Sequence, residues 1–195
     1  MRPRDPEKIH SIKTQALSLL VQEGLPDFSM QKLAKACKIS VATLYIYYQN
    51  KEDLIKKLTA EISNEFYESL LEGFNPQQHF RDGLWKQWVN RTNFTLQFPE
   101  KVRFYEYLRN SPLHSYTYTD RHQVMKDTFS EFLETNVARG EMKAVSWEIY
   151  WSVAHSPIYQ LLTFHLNGLS YPGESYAFNG QEMKSAFEIA YRALR

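Results

Sequence analysis

Ser29-Met-Gln-Lys-Leu-Ala-Lys-Ala-Cys-Lys-Ile-Ser-Val-Ala-Thr-Leu-Tyr-Ile-Tyr-Tyr-Gln-Asn-Lys-Glu-Asp-Leu54 is the stretch whose reading decides the fold. Ser29 is an N-cap for a short helix through Met30, Leu33, Ala34 and Cys37, and Ser40 is placed to cap a second one from Val41 to Tyr47 or Tyr48. Two such helices joined by a tight turn bury too little surface to stand alone. They need a third, and the preceding residues supply it: Ile9, Ile12, Ala16, Leu17 and Leu20 share one face of a helix from about Pro6 to Glu23. Gly24 sits where a left-handed cap is wanted, and Pro26 opposes continuation. In the resulting three-helix head, Leu33, Ala34, Ile39, Leu44 and Tyr48 point inward. Ser40, Val41, Ala42, Thr43, Tyr45 and Tyr47 are left on or near the outer face of the second helix of the pair. A helix of this size fits a DNA major groove, where Thr and Tyr hydroxyls meet base edges or phosphates.

Asn50 caps the next helix, with Asp53 at its N3 position and Leu54, Leu58, Ile62 and Phe66 recurring along one side to about Leu71. This helix leaves the head and enters the body. The expected domains are therefore a helix-turn-helix domain over residues 1–50 and a helical body over 51–195, in an all-α chain. Within the body the periodicity predicts helices over about His79–Gln97, Glu100–Arg109, Ser115–Arg139, Ser146–Leu166 and Gln181–Leu194. Pro157 should kink the penultimate one, and the Gly, Ser, Pro and Asn content of Asn167 to Gly180 marks a long loop.

Charge is unevenly placed. Residues 1–58 carry ten Lys or Arg against six Asp or Glu, whereas the remainder carries thirteen against sixteen. A basic head on a mildly acidic body suits a first segment that meets an anion such as DNA. The apolar stretches are too short to span a membrane, no apolar signal core follows the N-terminus, and the single cysteine, Cys37, has no disulfide partner. A cytoplasmic location with no membrane partner is expected. His114, His122, His155 and His165 lack metal-ligand spacing, and no phosphate loop or nucleophile elbow is present, so neither catalytic residues, nor a metal, nor a cofactor is assigned.

The quoted stretch resembles the TetR family of transcriptional regulators, in Thr43-Leu44-Tyr45, Tyr47-Tyr48 and Asn50-Lys51-Glu52-Asp53-Leu54, over roughly residues 8–58. The resemblance implies a ligand-responsive repressor that binds a palindromic double-stranded operator as a homodimer and releases it when a small effector enters the C-terminal domain. It assigns the recognition helix to the segment around Thr43, Tyr45 and Tyr47, and a phosphate contact to Lys51; Ser29 and Lys32 complete the expected DNA-contacting set. Lys38 and Ala42 depart from the family, which usually has Gly at the first and often at the second. Lys38 is therefore expected in a strained, positive-φ turn.

Twenty-five of the 29 aromatic residues lie after residue 50. Trp85, Trp88, Phe104, Tyr107, Tyr118, Phe129 and Tyr159 are the expected wall of an effector cavity, although such side chains equally fill a core. Trp147, Trp151, Ala154, Ile158, Leu161 and His165, with Met183, Phe187, Ala190 and Leu194 on the last helix, form stripes that either build a four-helix dimer interface or face the chain's own core. Two other classes compete with the regulator reading: a helical protein-interaction module, and an enzyme whose scattered residues converge in space.

Overall fold

The computed structural model describes residues 5–171 and 173–195, and its described residues form ten α-helices. α1 (Pro6–Asp27) begins where the Asp5 carboxylate accepts the Glu7 and Lys8 backbone N–H groups. Its regular part ends at Gly24, whose φ of 78° and ψ of 171° break the helix before a last turn containing Pro26. Gly24 thus does what its position predicts in a more extended geometry than a left-handed cap. α2 (Met30–Ala36) is capped by Ser29, and α3 (Val41–Tyr47) by Ser40, each hydroxyl accepting the N–H three residues on. α4 (Lys51–Leu71) opens with two side-chain bonds to the backbone: Asn50 Oδ1 accepts the Asp53 N–H at 2.8 Å, and Asp53 Oδ2 accepts the Gln49 N–H at 2.9 Å.

α5 (Phe80–Gln97), α6 (Pro99–Arg109) and α7 (Asp120–Ala138) follow, with a 3-10 turn at His114–Thr117 where α7 was expected to begin. The penultimate segment is two helices. α8 (Trp147–Ala154) stops at His155, and α9 (Ser156–Asn167) restarts with Pro157 in its first turn, where the missing N–H is harmless. The kink expected inside one helix is therefore a full break. α10 (Gly180–Leu194) starts at an Asn179 cap.

The compact units differ from the expected division at residue 50. The first comprises the chain up to Glu65 together with Glu100–His122, and the second Phe66–Pro99 with Gln123–Arg195. The reason lies in packing. Leu54, Ile55, Leu58 and Ile62 of α4 and Phe104 and Leu108 of α6 are buried in one cluster with Ile12, Ala16, Leu20, Leu33, Ala34, Leu44 and Tyr48. Lys13–Glu61 and Lys101–Glu65 ion pairs tie α1 and α6 to the same part of α4. α4 is one helix that runs from the first unit into the second.

The second unit closes around Phe80, Leu84, Trp88, Phe132, Tyr150, Ala154, Ile158, Leu162, Met183, Phe187, Ala190 and Leu194. This corrects the expected dimer stripe: Ala154, Ile158, Met183, Phe187, Ala190 and Leu194 are core residues of the chain itself and are not available to a partner. Trp147, Trp151 and Leu161 are half-buried. The large apolar side chains that these helices do present to solvent are Ile149 on α8 and Ile189 on α10. No described helix is long and apolar enough to cross a membrane.

Candidate nucleic-acid interface

The turn between α2 and α3 sets the direction of α3. The Ile39 N–H reaches back to the Ala34 carbonyl and the Lys38 N–H to the Lys35 carbonyl, a Schellman pair, with Lys38 at φ 54°. A lysine stands where the backbone favours glycine, at a cost of ~1 kcal/mol. With α2 ended in this way, Leu44 and Tyr48, four residues apart, are sunk into the head core. The opposite face of α3 carries Ala42, Tyr45 and Ile46, and Tyr45 and Ile46 are 50% and 65% exposed.

The expected contact residues divide into three groups. Tyr45 and Ala42 are free on the outer face; Val41 is half-exposed near the helix start. Ser29, Ser40 and Thr43 already serve the helix ends: Ser29 and Ser40 accept backbone N–H groups, and the Ser40 and Thr43 hydroxyls bond each other at 2.8 Å. Tyr47, Lys32 and Lys51 have structural partners. Tyr47 is half-buried against the head core. Lys32 pairs with Glu23 at 2.7 Å, which holds the ammonium pKa above its ordinary value.

Lys51 is the most consequential of these. Its Nζ donates to the Leu25 and Phe28 carbonyls, both at 2.6 Å, and lies 5.6 Å from the centre of the Phe28 ring. Two of three ammonium donors are thus committed to the α1–α2 connection, whose carbonyls offset the unfavourable placement of a cation at a helix N-terminus. Asp53 adds the local anion. Its carboxyl is held below the usual range, first by Lys57 at 2.8 Å and then by the Gln49 N–H.

Residues 12–58 match the family described as bacterial regulatory proteins, tetR family. The head belongs to the TetR family. The chain is 30% identical over 95 residues to an uncharacterized HTH-type transcriptional regulator of Haemophilus influenzae, covering 47% of this chain and 51% of the relative. It is also 30% identical over 92 residues to the HTH-type transcriptional regulator EthR of Mycobacterium tuberculosis, covering 46% and 42%. The chain thus spans about half the length of these relatives or less. Along its full length it is similar to the crystal structure of a TetR family transcription regulator from Marinobacter aquaeolei, at 26% identity and a TM-score of 0.77, covering 100% of this chain and 98% of that one. A TetR-family regulator from Haemophilus influenzae shares the fold at 19% identity and a TM-score of 0.73, with 99% of each chain covered.

The Ile46 side chain escaped the sequence reading. Its signal was present, since with Leu44 and Tyr48 inward a residue two positions from each must point away. The expected cavity wall divides between the two units. Phe104, Tyr107 and Tyr118 belong to the first unit, Phe104 as core and the two tyrosines at its surface, 45% and 58% exposed. Tyr107 lines an open depression with Arg103, Glu106 and Asn110. Trp88 is buried, with its indole N–H donating to the Ala154 carbonyl, and Trp85 packs edge-on against Phe187. Trp85 and Trp88 meet on the Phe187 ring, whereas Phe129 and Tyr159 meet on the guanidinium of Arg91.

Proposed function

We propose that this TetR-family regulator is a cytoplasmic repressor that binds a palindromic operator as a homodimer and releases it when a small, largely apolar or aromatic ligand enters the second unit. The observation that carries the DNA reading is the outer face of α3, where Ala42, Tyr45 and Ile46 stand clear of solvent-excluded packing on a helix fixed at both ends. A recognition helix needs this arrangement: a rigid inner side and side chains outside that have nothing else to do. Exposed Lys35 and Lys38 lie just before it and supply positive charge for phosphates. Ile149 and Ile189, solvent-facing on the helices whose other sides are core, support a pairing surface there. The release step is assigned to α4, because Lys51–Glu65 belong to the first unit and Phe66–Leu71 to the second.

Ala42→Asp and Tyr45→Ala test the DNA reading. Duplexes selected from a random pool by the wild-type protein should be palindromic, and their affinity should fall steeply with salt. An Asp at the second residue of α3 favours the helix dipole yet opposes phosphates, so the head should stay folded while duplex binding falls ~10-fold or more. Tyr45→Ala should lose about fivefold or more. Salt-independent binding, or unchanged affinity in both variants, would remove α3 from the interface.

A further inference from the structure

Arg91, in the middle of α5, is fully buried. Its Nε donates to the Tyr159 hydroxyl at 3.1 Å and one Nη to the Gln87 carbonyl at 3.1 Å, and the guanidinium carbon lies 5.4–6.0 Å from the ring centres of Trp151, Phe129 and Tyr159. The other Nη has no hydrogen-bond partner. Neither does Nε2 of the buried Gln87, nor Nδ1 of the buried His155. None of the ion pairs among the described residues gives Arg91 a carboxylate. Three aromatic faces and two neutral acceptors offset only part of the desolvation of a cation. A buried lysine could shed its proton, but a guanidinium remains charged, so an interior of this kind is complete only with an anion in it.

Several features say which anion and from where. The charge to be met is single: burial, and then the nearby Arg91, push the His155 pKa well below its ordinary value, so the imidazole is neutral and adds no second cation. Its Nε2 and the Tyr150 hydroxyl both lie against Gln87 Oε1, at 3.0 and 3.1 Å, which turns the Gln87 amide N–H groups away from them as spare donors. α9 begins beside His155 with no side chain capping its free N–H groups, a further positive end. Trp151 and Tyr159, whose rings lie 5.4 and 6.0 Å from the guanidinium carbon, are half-buried and flank the α8–α9 break.

We propose that the second unit takes an organic monocarboxylate, its oxygens on the free Nη of Arg91 and Nε2 of Gln87 and its apolar body against Phe129, Trp151 and Tyr159. The inference rests on the reading of the second unit as the sensor and names the chemical class of its effector. A carboxylate matches the single charge and presents two acceptors, one for each unpaired donor, whereas a phosphate dianion would bring a second charge that no second buried cation among the described residues meets.

The test uses sodium phenylacetate and sodium octanoate as probes, with phenylacetamide and octanamide as neutral isosteres. Binding to the full chain is read by tryptophan fluorescence and by the thermal midpoint, without DNA. At least one acid should bind about tenfold or more tightly than its amide, and Arg91→Met should abolish that preference. Gln87→Glu places a carboxylate beside the guanidinium, so it should raise the ligand-free midpoint and prevent acid binding. Acids and amides that bind wild-type protein equally, or not at all, overturn the proposal without reference to any variant, as does a preference that survives in Arg91→Met. Duplex affinity is then measured on the same preparations with and without the acid. Arg91-dependent acid binding that leaves duplex affinity unchanged supports the carboxylate site and refutes the sensor reading, whereas duplex binding by a protein indifferent to acids refutes the carboxylate site and leaves the DNA reading standing.

Discussion

Lys51→Met separates two roles that a lysine at the start of α4 could serve. Methionine keeps the apolar stem against Phe28 and removes only the ammonium, which donates to the Leu25 and Phe28 carbonyls and lies over the Phe28 ring. A hydrogen bond from a charged donor is worth ~1.5–3 kcal/mol, and partial exposure reduces each of these to about 1 kcal/mol. The ring contact adds ~0.5 kcal/mol. The loss is therefore about 2–3 kcal/mol, felt in the loop that sets α2 against α1. For a chain of this size that lowers the thermal midpoint by ~5–10 °C, which calorimetry or circular dichroism resolves easily. Duplex binding supplies the contrasting measurement, because loss of a phosphate contact reduces the slope of log affinity against log salt by ~0.9. The expected result is a lowered midpoint with an unchanged salt slope. An unchanged midpoint with the slope reduced would refute the reasoning and return Lys51 to the phosphate contact that the family resemblance implies.

Three further outcomes follow from individual side chains. Gly83→Ala should destabilise the chain by ~1–3 kcal/mol in urea unfolding, because the added methyl overlaps two ring carbons of buried Phe132; unchanged stability would mean that this ring moves freely. Lys38→Gly should stabilise by up to ~1 kcal/mol by relieving the φ of 54°, unless the variant's unfolding midpoint shows that the unfolded-state entropy of glycine cancels the gain. His155 has a depressed folded-state pKa, so below its ordinary value near ~6.5 the unfolded chain binds a proton that the folded chain refuses. Its contribution is present at neutral pH and is lost as pH falls, by as much as ~1.4 kcal/mol per pH unit. His155→Gln should flatten the stability profile between about pH 7 and pH 5, and an equally steep profile in the variant would place the acid sensitivity elsewhere.

Much of the head was legible because its determinants act over a few residues. Ser29, Ser40 and Asn50 each accept an N–H three positions on, and Lys38 closes a turn whose bonds reach back no more than five residues. Leu44 and Tyr48 share a face by helical geometry alone, and this turns Tyr45 and Ile46 outward whatever lies beneath. Periodicity also revealed the stripe Met183, Phe187, Ala190 and Leu194, but an amphipathic face buries equally well against its own chain or a second copy. Only the packing of α10 with α8, α9 and α5 in one core assigns it to the first. The same holds for single side chains with remote partners. Lys51 finds its carbonyls 26 and 23 residues back along the chain, and Arg91 finds Tyr159 68 residues ahead. Nothing within a helical turn of either residue encodes those meetings. A charge's role is set by what surrounds it in space, and for Arg91 that surrounding is assembled from α7, α8 and α9, three helices remote in sequence from its own.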